Sequence, residues 1–592
     1  VARRDRPGTG RDLSEEVGEV VRRAESRRLV TLALLSALLG AAGGLVGVAF
    51  LRAIALALNL VLRHEVAWEL PRLATVSPGP SLVVAAVLGG LVVAGLRAWE
   101  PRIRGHGIPE AMEAVLASQS RIRPRAAIAK PLATAVAIGT GAPFGAEGPI
   151  VVTGGAIGSL LGQVVSVTPS ERKILLASGA AAGMSAVFGT PIAAVLLAIE
   201  LLLFEFSTRA LVPLVVASVV ADEIHTVLIG QGPLFAVPVQ PIDGAATLWQ
   251  YVVLGLAAGL LALVVVVVVY ALEDLFQRMP WPRWADPAVG AVGFALVGLA
   301  VPRSLGVGYD VIGDILQGRL TAGLLAAVLV AKLVAWWIAM GSGTSGSSLA
   351  PLLLIGAAFG GLVGTLLTGG APSTVTFALV GMAATFGAAA GAPFTAIVLV
   401  FEMTRDFAVV LPLMLATVAA HVAFRSLRTE NLMSEKLTRR GLHVVTDYRA
   451  DVLRSTAVEE VMTRDVVSLP ASATLAQARA LFDRGDHHGY PLVDDEGRCR
   501  GMVTAEGTLG LDLPDDTPVA DVAASDVVAV RPEDDLLVAF RLMADEELTM
   551  VPVVDDGQVV GVCSRTDILH ARERELRAER VQRGWLSSTR HT

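Results

Sequence analysis

The apolar residues of this chain gather into long uncharged runs, a pattern that predicts membrane helices. Leu34 to Leu51, Ser81 to Leu96, Val253 to Leu272, Leu324 to Val330 and Phe377 to Phe401 contain no acidic or basic side chain. A helix of roughly 20 apolar residues crosses a bilayer, and several of these runs reach that length. Others are shorter and interrupted by Gly or Pro, which predicts tilted, broken or re-entrant helices buried within protein. The first run is about twice the length of a secretory leader's apolar core and has no clear cleavage site, so it is expected to remain as a membrane segment. Past residue 457 the pattern changes to short alternating stretches. Val461-Met462-Thr463 leads through Val466–Leu469 to a helical Leu475–Arg484, an alternating Tyr490–Val493, an Asp-Asp-Glu-Gly turn and Gly501–Thr504. The same order returns as Val519–Val522, Val527–Val530, helical Leu536–Ala544, Val551–Val554, an Asp555-Asp556-Gly557 turn and Gly561–Asp567. Period-two alternation and Asp-Gly or Glu-Gly turns predict strands joined by hairpins, with a helix between them in each unit.

The membrane part is repeated too. Gly139, Gly141, Pro149, Gly154, Gly158, Gly162, Gly179, Pro191 and Glu200 return 202 positions later as Gly341, Gly343, Pro351, Gly356, Gly360, Gly364, Gly381, Pro393 and Glu402. One constant offset over more than sixty residues predicts two structurally related halves, an architecture that places transport sites between the halves. The halves are expected to meet near the polar Pro280–Asp286 stretch. The resulting division is a basic lead at 1–28, a membrane domain at 29–427, a linker at 428–457, two soluble units at 458–515 and 516–572, and a basic tail at 573–592.

Composition narrows the function. Of 592 residues, 53% are apolar, which excludes a single soluble domain. Arg3, Arg4, Arg6, Arg11, Arg22, Arg23, Arg27 and Arg28 precede the first apolar run, and Arg425, Arg428, Lys436, Arg439 and Arg440 accompany the end of the last. Such flanks favour the cytoplasmic side, so both ends are expected there, and they are read as orienting flanks rather than nucleic-acid sites. Cys499 and Cys563 are the only cysteines, which leaves no basis for a disulfide framework or a cysteine-built metal site. No nucleophile–base set or phosphate loop stands out, so an enzyme is not expected.

Candidate chemistry lies in three segments interrupted by Gly and Pro: Gly105-His106-Gly107-Ile108-Pro109-Glu110, Gly145-Ala146-Glu147-Gly148-Pro149 and Gly346-Ser347-Ser348-Leu349-Ala350-Pro351. Pro suits a first helical turn, so each segment predicts a helix start. Helix starts carry unpaired N–H groups and the positive end of a dipole. Several of them aimed at one point make an anion site with little need for Lys or Arg. Weak, distributed coordination of this kind also lets an ion leave. Glu147 sits in an apolar setting where an ionisable side chain is costly, which marks it as functional.

These segments resemble the GSGIP, GREGP and GxFxP motifs of the CLC family of anion channels and anion/proton exchangers, and Lys130 matches a family lysine. The soluble repeat resembles a tandem CBS pair. The resemblance implies an all-α polytopic membrane domain, an inverted repeat of broken and tilted helices, followed by a small α/β CBS pair. It also implies a homodimer in the plasma membrane with one anion path in each subunit, and chloride as ligand. Carried over by residue, it makes Glu147 the gate and places His106, Gly107, Ile108, Ala146, Gly148, Ser348, Leu349, Ala350 and Met433 around the anion. Four of these positions depart from the family pattern: His106 replaces Ser, Met433 the central Tyr, Leu349 a Phe and Ala146 an Arg. Leu201 stands where exchangers commonly carry an internal proton-transferring Glu, which implies channel-like or loosely coupled conduction. Glu147, with Glu200 and His106 as secondary candidates, would carry any protons. Glu200 and Glu402, placed symmetrically at helix ends, are read first as structural. Ser564, Thr566 and Asp567 match the CBS residues that hold an adenine nucleotide, but Gly507 stands at the equivalent of Asp567 in the first unit, and a plain packing and dimerisation role is the other reading. Strict chloride/proton exchange by another proton route, fluoride export and a CBS-containing cation transporter complete the alternatives. The last would need several inward carboxylates for a hard cation, and the sequence offers few.

Overall fold

The computed structural model describes residues 10–237, 247–369, 374–442, 453, 456–484, 489–505, 508, 513–522, 528–546 and 548–573, with side chains from residue 26. Residues 1–9 of the basic lead, part of the linker, His487-His488, Gly507 and the basic tail from 574 lie outside the described residues. The chain forms two compact units, Val1–Asp447 and Tyr448–Thr592.

The first unit is helical. Its first half runs α1 (Gly10–Leu62), α2 (Ser81–Trp99), α3 (Ile108–Ala117), α4 (Pro124–Gly139), α5 (Glu147–Val164), α6 (Pro169–Phe188), α7 (Pro191–Ala198) and α8 (Thr208–Leu228). The second runs α9 (Leu248–Arg278), α10 (Asp286–Ala300), α11 (Tyr309–Leu316), α12 (Ala322–Gly341), α13 (Leu349–Thr368), α14 (Thr374–Ala390), α15 (Pro393–Thr404) and α16 (Val410–Leu427), and a short α17 (Glu435–Thr438) follows. Seven helices among the described residues are long and apolar enough to cross a membrane: α1 from Ser26, α2, α8, α9, α12, α13 and α16. The longest of the runs named above, Phe377 to Phe401, is not one span. Gly391 takes a φ of 71° and Pro393 opens a new helix, so the run splits into α14 and α15.

Packing repeats between the halves. α1 lies on α6 and α8 as α9 lies on α14 and α16, and α5 lies on α6 as α13 lies on α14. The halves therefore join between α8 and α9. This corrects the join expected near Pro280–Asp286, which only links α9 to α10. That stretch is polar because it is a turn between two helices, with Trp281 Nε1 donating to Asp286 Oδ1 at 2.9 Å. The repeated glycines have a packing cause. A Cβ on Gly154 would fall 2.1 Å from the Gly179 carbonyl oxygen, and one on Gly356 would fall 2.4 Å from that of Gly381. Only glycine lets these helix backbones approach so closely.

Each half also closes the other. The Glu200 carboxylate accepts from the Phe394 and Thr395 amides at 3.1 and 2.7 Å and from the Thr395 hydroxyl at 2.5 Å, at the start of α15. Glu402 accepts from the Ile192 and Ala193 amides at 3.1 and 2.7 Å, at the start of α7. Two helix starts with orphan N–H groups thus receive a carboxylate from the opposite half.

In the second unit β1 (Leu469–Pro470) pairs parallel with β2 (Gly489–Val493), which pairs antiparallel with β3 (Cys499–Thr504). β4 (Met550–Asp555) and β5 (Gln558–Ser564) form a hairpin, with Asp556 and Gly557 at positive φ in the turn. Helices Leu475–Phe482 and Leu536–Asp545 fill the expected places. Within this second unit the opening residues of the 458–515 repeat cross to the 516–572 repeat: Thr463 and Val562 exchange both backbone bonds, at 2.9 and 3.0 Å. Val458, Leu536, Val551 and Val553 share one core there.

Candidate anion site

All three singled-out segments open helices. α3 begins at Ile108, α5 at Glu147 and α13 at Leu349, with Pro109, Pro149 and Pro351 in their first turns. Two links hold these starts together. Gly145 and Ser347, one from each half, exchange backbone hydrogen bonds of 3.1 Å in both directions. Between α3 and α5, a Cβ on Gly148 would lie only 1.9 Å from the His106 carbonyl oxygen. Three positive helix ends therefore meet around one buried point, which is the electrostatic setting an anion needs.

Glu147 is fully buried at that point. Its Oε1 accepts from the Tyr309 hydroxyl at 2.5 Å. The Ser347 side chain and the Ala350 backbone also face the carboxylate, although Oε2 meets no donor in good hydrogen-bonding geometry. The carboxylate folds back over Gly145, where a Cβ would fall 1.9 Å from Oε2.

Of the other predicted residues, Ala146, Gly148, Leu349 and Ala350 are buried at the starts of α5 and α13, and Gly107 and Ile108 at the start of α3. The Leu349 amide is already engaged by Ser347 Oγ at 3.2 Å, and Ser348 Oγ lies 4.0 Å from Met340 Sδ. His106 is 3% exposed; its ring is bonded to the Leu432 backbone, and Nδ1 has no partner. Met433 follows Leu432 and is buried. Asn431 Oδ1 accepts from the Met433 and Ser434 amides at 2.8 and 2.9 Å, and the Tyr270 hydroxyl donates to the Leu432 carbonyl at 2.8 Å. Met433 thus reaches the α3 side of the site through its neighbour. Glu200 turns away to the start of α15, and Leu201 is buried in the π-helical Ile199–Leu203.

Two buried lysines anchor the loops ahead of short helices. Lys130 Nζ donates to the Ile103 carbonyl at 2.7 Å and to that of Gly105; Lys332 Nζ donates to the Ser304 and Gly306 carbonyls at 3.2 and 2.8 Å. Sequence reasoning missed Lys332 and Tyr309. The signal was present: Lys332 follows Lys130 by 202 positions, and Gly306-Val307-Gly308-Tyr309 matches Gly105-His106-Gly107-Ile108 at an offset of 201. The one-residue slip hid the match. Two cavities flank the site. One, of about 280 Å³, is lined by Arg72, Phe235, Tyr309, Asp310, Asp314 and Arg319 among others. The other, of about 240 Å³, includes Arg102, Glu110, Arg121, Arg123, Lys130 and Arg440 in its wall.

In the second unit Asp567 Oδ2 accepts from the Ser564 amide and hydroxyl at 2.8 and 2.6 Å. That carboxylate is partly engaged within its own helix start, with Thr566 alongside.

The family model for voltage gated chloride channels matches residues 82–425, and that for the CBS domain matches 458–507 and 519–574. The chain is 30% identical over 445 residues to the H(+)/Cl(-) exchange transporter ClcA of Salmonella arizonae, which covers 71% of this chain and 92% of that protein. In fold it is similar to a slow cyanobacterial Cl-/H+ antiporter, with a TM-score of 0.62 and 24% identity over 69% of this chain and 97% of that one. It is also similar to a eukaryotic CLC transporter, with a TM-score of 0.59 and 19% identity over 91% and 98% of the two chains. Family match, identity and fold together make this chain a member of the voltage-gated chloride channel (CLC) family of membrane anion transporters, with a C-terminal pair of CBS domains.

Proposed function

We propose that this protein carries chloride across the plasma membrane through one path in each subunit of a homodimer, gated by Glu147, in a channel-like or loosely proton-coupled manner. The observation that carries the reading is the Glu147 carboxylate, an anion on a tether, lying where the starts of α5 and α13 meet beside that of α3. A mobile anion competes for the same positive helix ends, so displacing or protonating the carboxylate opens the path. His106, Gly107, Ile108, Ala146, Gly148, Ser348, Leu349, Ala350 and Met433 form the wall. With Met433 in place of a Tyr and the His106 ring turned to the Leu432 backbone, backbone amides remain as donors to the ion.

Loose coupling rests on Leu201, an apolar side chain that cannot carry a proton, and on Glu200 being occupied with the α15 start. Strict chloride/proton exchange is the second reading. The relatives' names favour it, and it would need a route through Glu147 and His106. For the homodimer, support comes from Ile192 and Phe394, which lie 202 positions apart at the starts of α7 and α15 and are both exposed. Both termini are placed in the cytoplasm by the basic flanks. The domain limits proposed are 29–427 for transport and 458–515 and 516–572 for the two CBS units. The CBS pair is read as a packing and dimerisation module, with an adenine nucleotide at Ser564, Thr566 and Asp567 as its second reading.

The test is anion efflux from proteoliposomes loaded with chloride or fluoride, with external pH recorded. Chloride efflux with little proton movement is expected. Stoichiometric proton uptake would overturn loose coupling, and fluoride efflux with little chloride would overturn the choice of anion.

A further inference from the structure

Tyr309 is the first residue of α11, and it stands between the Glu147 carboxylate and the cavity of about 280 Å³. Its hydroxyl faces inward and donates to Glu147 Oε1 at 2.5 Å. Its ring is held by Phe188 of α6, 6.0 Å away between centroids, and by Phe235, edge-on at 6.3 Å. Tyr309 also lines the cavity. At the matching place in the first half, Ile108 has no hydroxyl to offer, so this arrangement belongs to one side of the site only.

We infer that Tyr309 is the latch of the Glu147 gate: its hydroxyl holds the carboxylate folded over Gly145, and its ring closes the carboxylate off from the adjoining cavity. Tyr309 is a positioning residue, acting on the anion through Glu147, and the inference rests on the gate reading above. A phenol donating to a carboxylate favours the charged, seated form of the gate. Removing the donor therefore lets protons release the gate at a lower concentration.

Of the other charges near this pair, that of Lys332 also acts on Glu147, though its hydrogen bonds go elsewhere. Lys332 of α12 is spent on the Ser304 and Gly306 carbonyls. The Asp310 carboxylate accepts from the Leu73 amide at 2.6 Å, and Asp314 pairs with Arg319 at 2.9 Å. Arg72 lines the cavity rim. On the far side of the site, Glu110 pairs with Lys436, Lys130 is bonded to carbonyls, and His106 faces Leu432.

The experiment measures chloride efflux against pH for the full chain in proteoliposomes, comparing the parent with Tyr309→Phe, Glu147→Ala and the double variant. Tyr309→Phe keeps the ring and its packing. It is expected to speed efflux several-fold at neutral pH and to move the pH of half-activation upward by about one to two units, the shift that corresponds to losing a hydrogen bond to a charged group. In the Glu147→Ala background the same change is expected to alter neither rate nor profile. A Tyr309→Phe profile that superimposes on the parent, while Glu147→Ala changes flux, would overturn the latch and leave the gate standing. An effect of Tyr309→Phe that persists without Glu147 would also overturn it. Glu147→Ala indistinguishable from the parent would remove the gate and the latch together. Tyr309→Leu carries the same prediction should the Phe variant not yield folded protein.

Discussion

At the scale of single residues, the site depends on what is absent as much as on what is present. The folded-back Glu147 needs the space above Gly145, where a methyl group would lie 1.9 Å from Oε2. No rotation of a Cβ relieves that contact, so the carboxylate itself must move. Gly145→Ala is therefore expected to unseat the gate, giving faster chloride efflux with a flattened pH dependence while the backbone at position 145 keeps its pairing with Ser347. Efflux with the parent's pH profile would show that the carboxylate does not need this position. Glu147 was legible in the sequence because an acidic residue in Gly145-Ala146-Glu147-Gly148-Pro149, at a predicted helix start, has few structural uses in an apolar stretch. Tyr309 was not legible. It lies in a segment with no Pro, and its match to the first half is offset by one residue from the repeat that exposed the others.

At the scale of elements, the repeated sequence explains both the close glycine contacts and the crossed carboxylates. Glu200 and Glu402 looked symmetric at helix ends; the structure adds that each reaches across to the other half. Glu200→Ala would leave two amides and the Thr395 hydroxyl at the α15 start without their acceptor, a loss of about 1–3 kcal/mol. A lower unfolding temperature in detergent, with proton movement per chloride unchanged, is the expected outcome. Unchanged stability with altered proton movement would instead make Glu200 a proton carrier. One element was misread from sequence and another left undivided, each for a physical reason. Phe377 to Phe401 has uniform hydropathy, and only Gly391 and Pro393 reveal that it is two helices. The polar Pro280–Asp286 stretch suggested a seam between halves, but polarity marks any turn between helices, and the true join lies between α8 and α9.

At the scale of the whole molecule, a membrane unit and a CBS unit each have their own core. The fold class was legible because run length separates membrane helices from the alternating strands of the tail, and because the 202-residue offset survives in both packing and capping. The convergence of the three helix starts was legible only as an expectation, since sequence spacing does not say that Gly145 will pair with Ser347 across the halves. In the function proposed above, the tethered Glu147 carboxylate competes with chloride for those helix starts. The measurement that tests it most directly is chloride efflux from proteoliposomes across a pH series, parent against Glu147→Gln, in which the side chain keeps its size and loses its charge. The variant is expected to conduct chloride at neutral pH at least as fast as the parent does in acid, with its pH dependence largely gone. A Glu147→Gln protein that is folded and keeps the parent's rate and pH profile would contradict it.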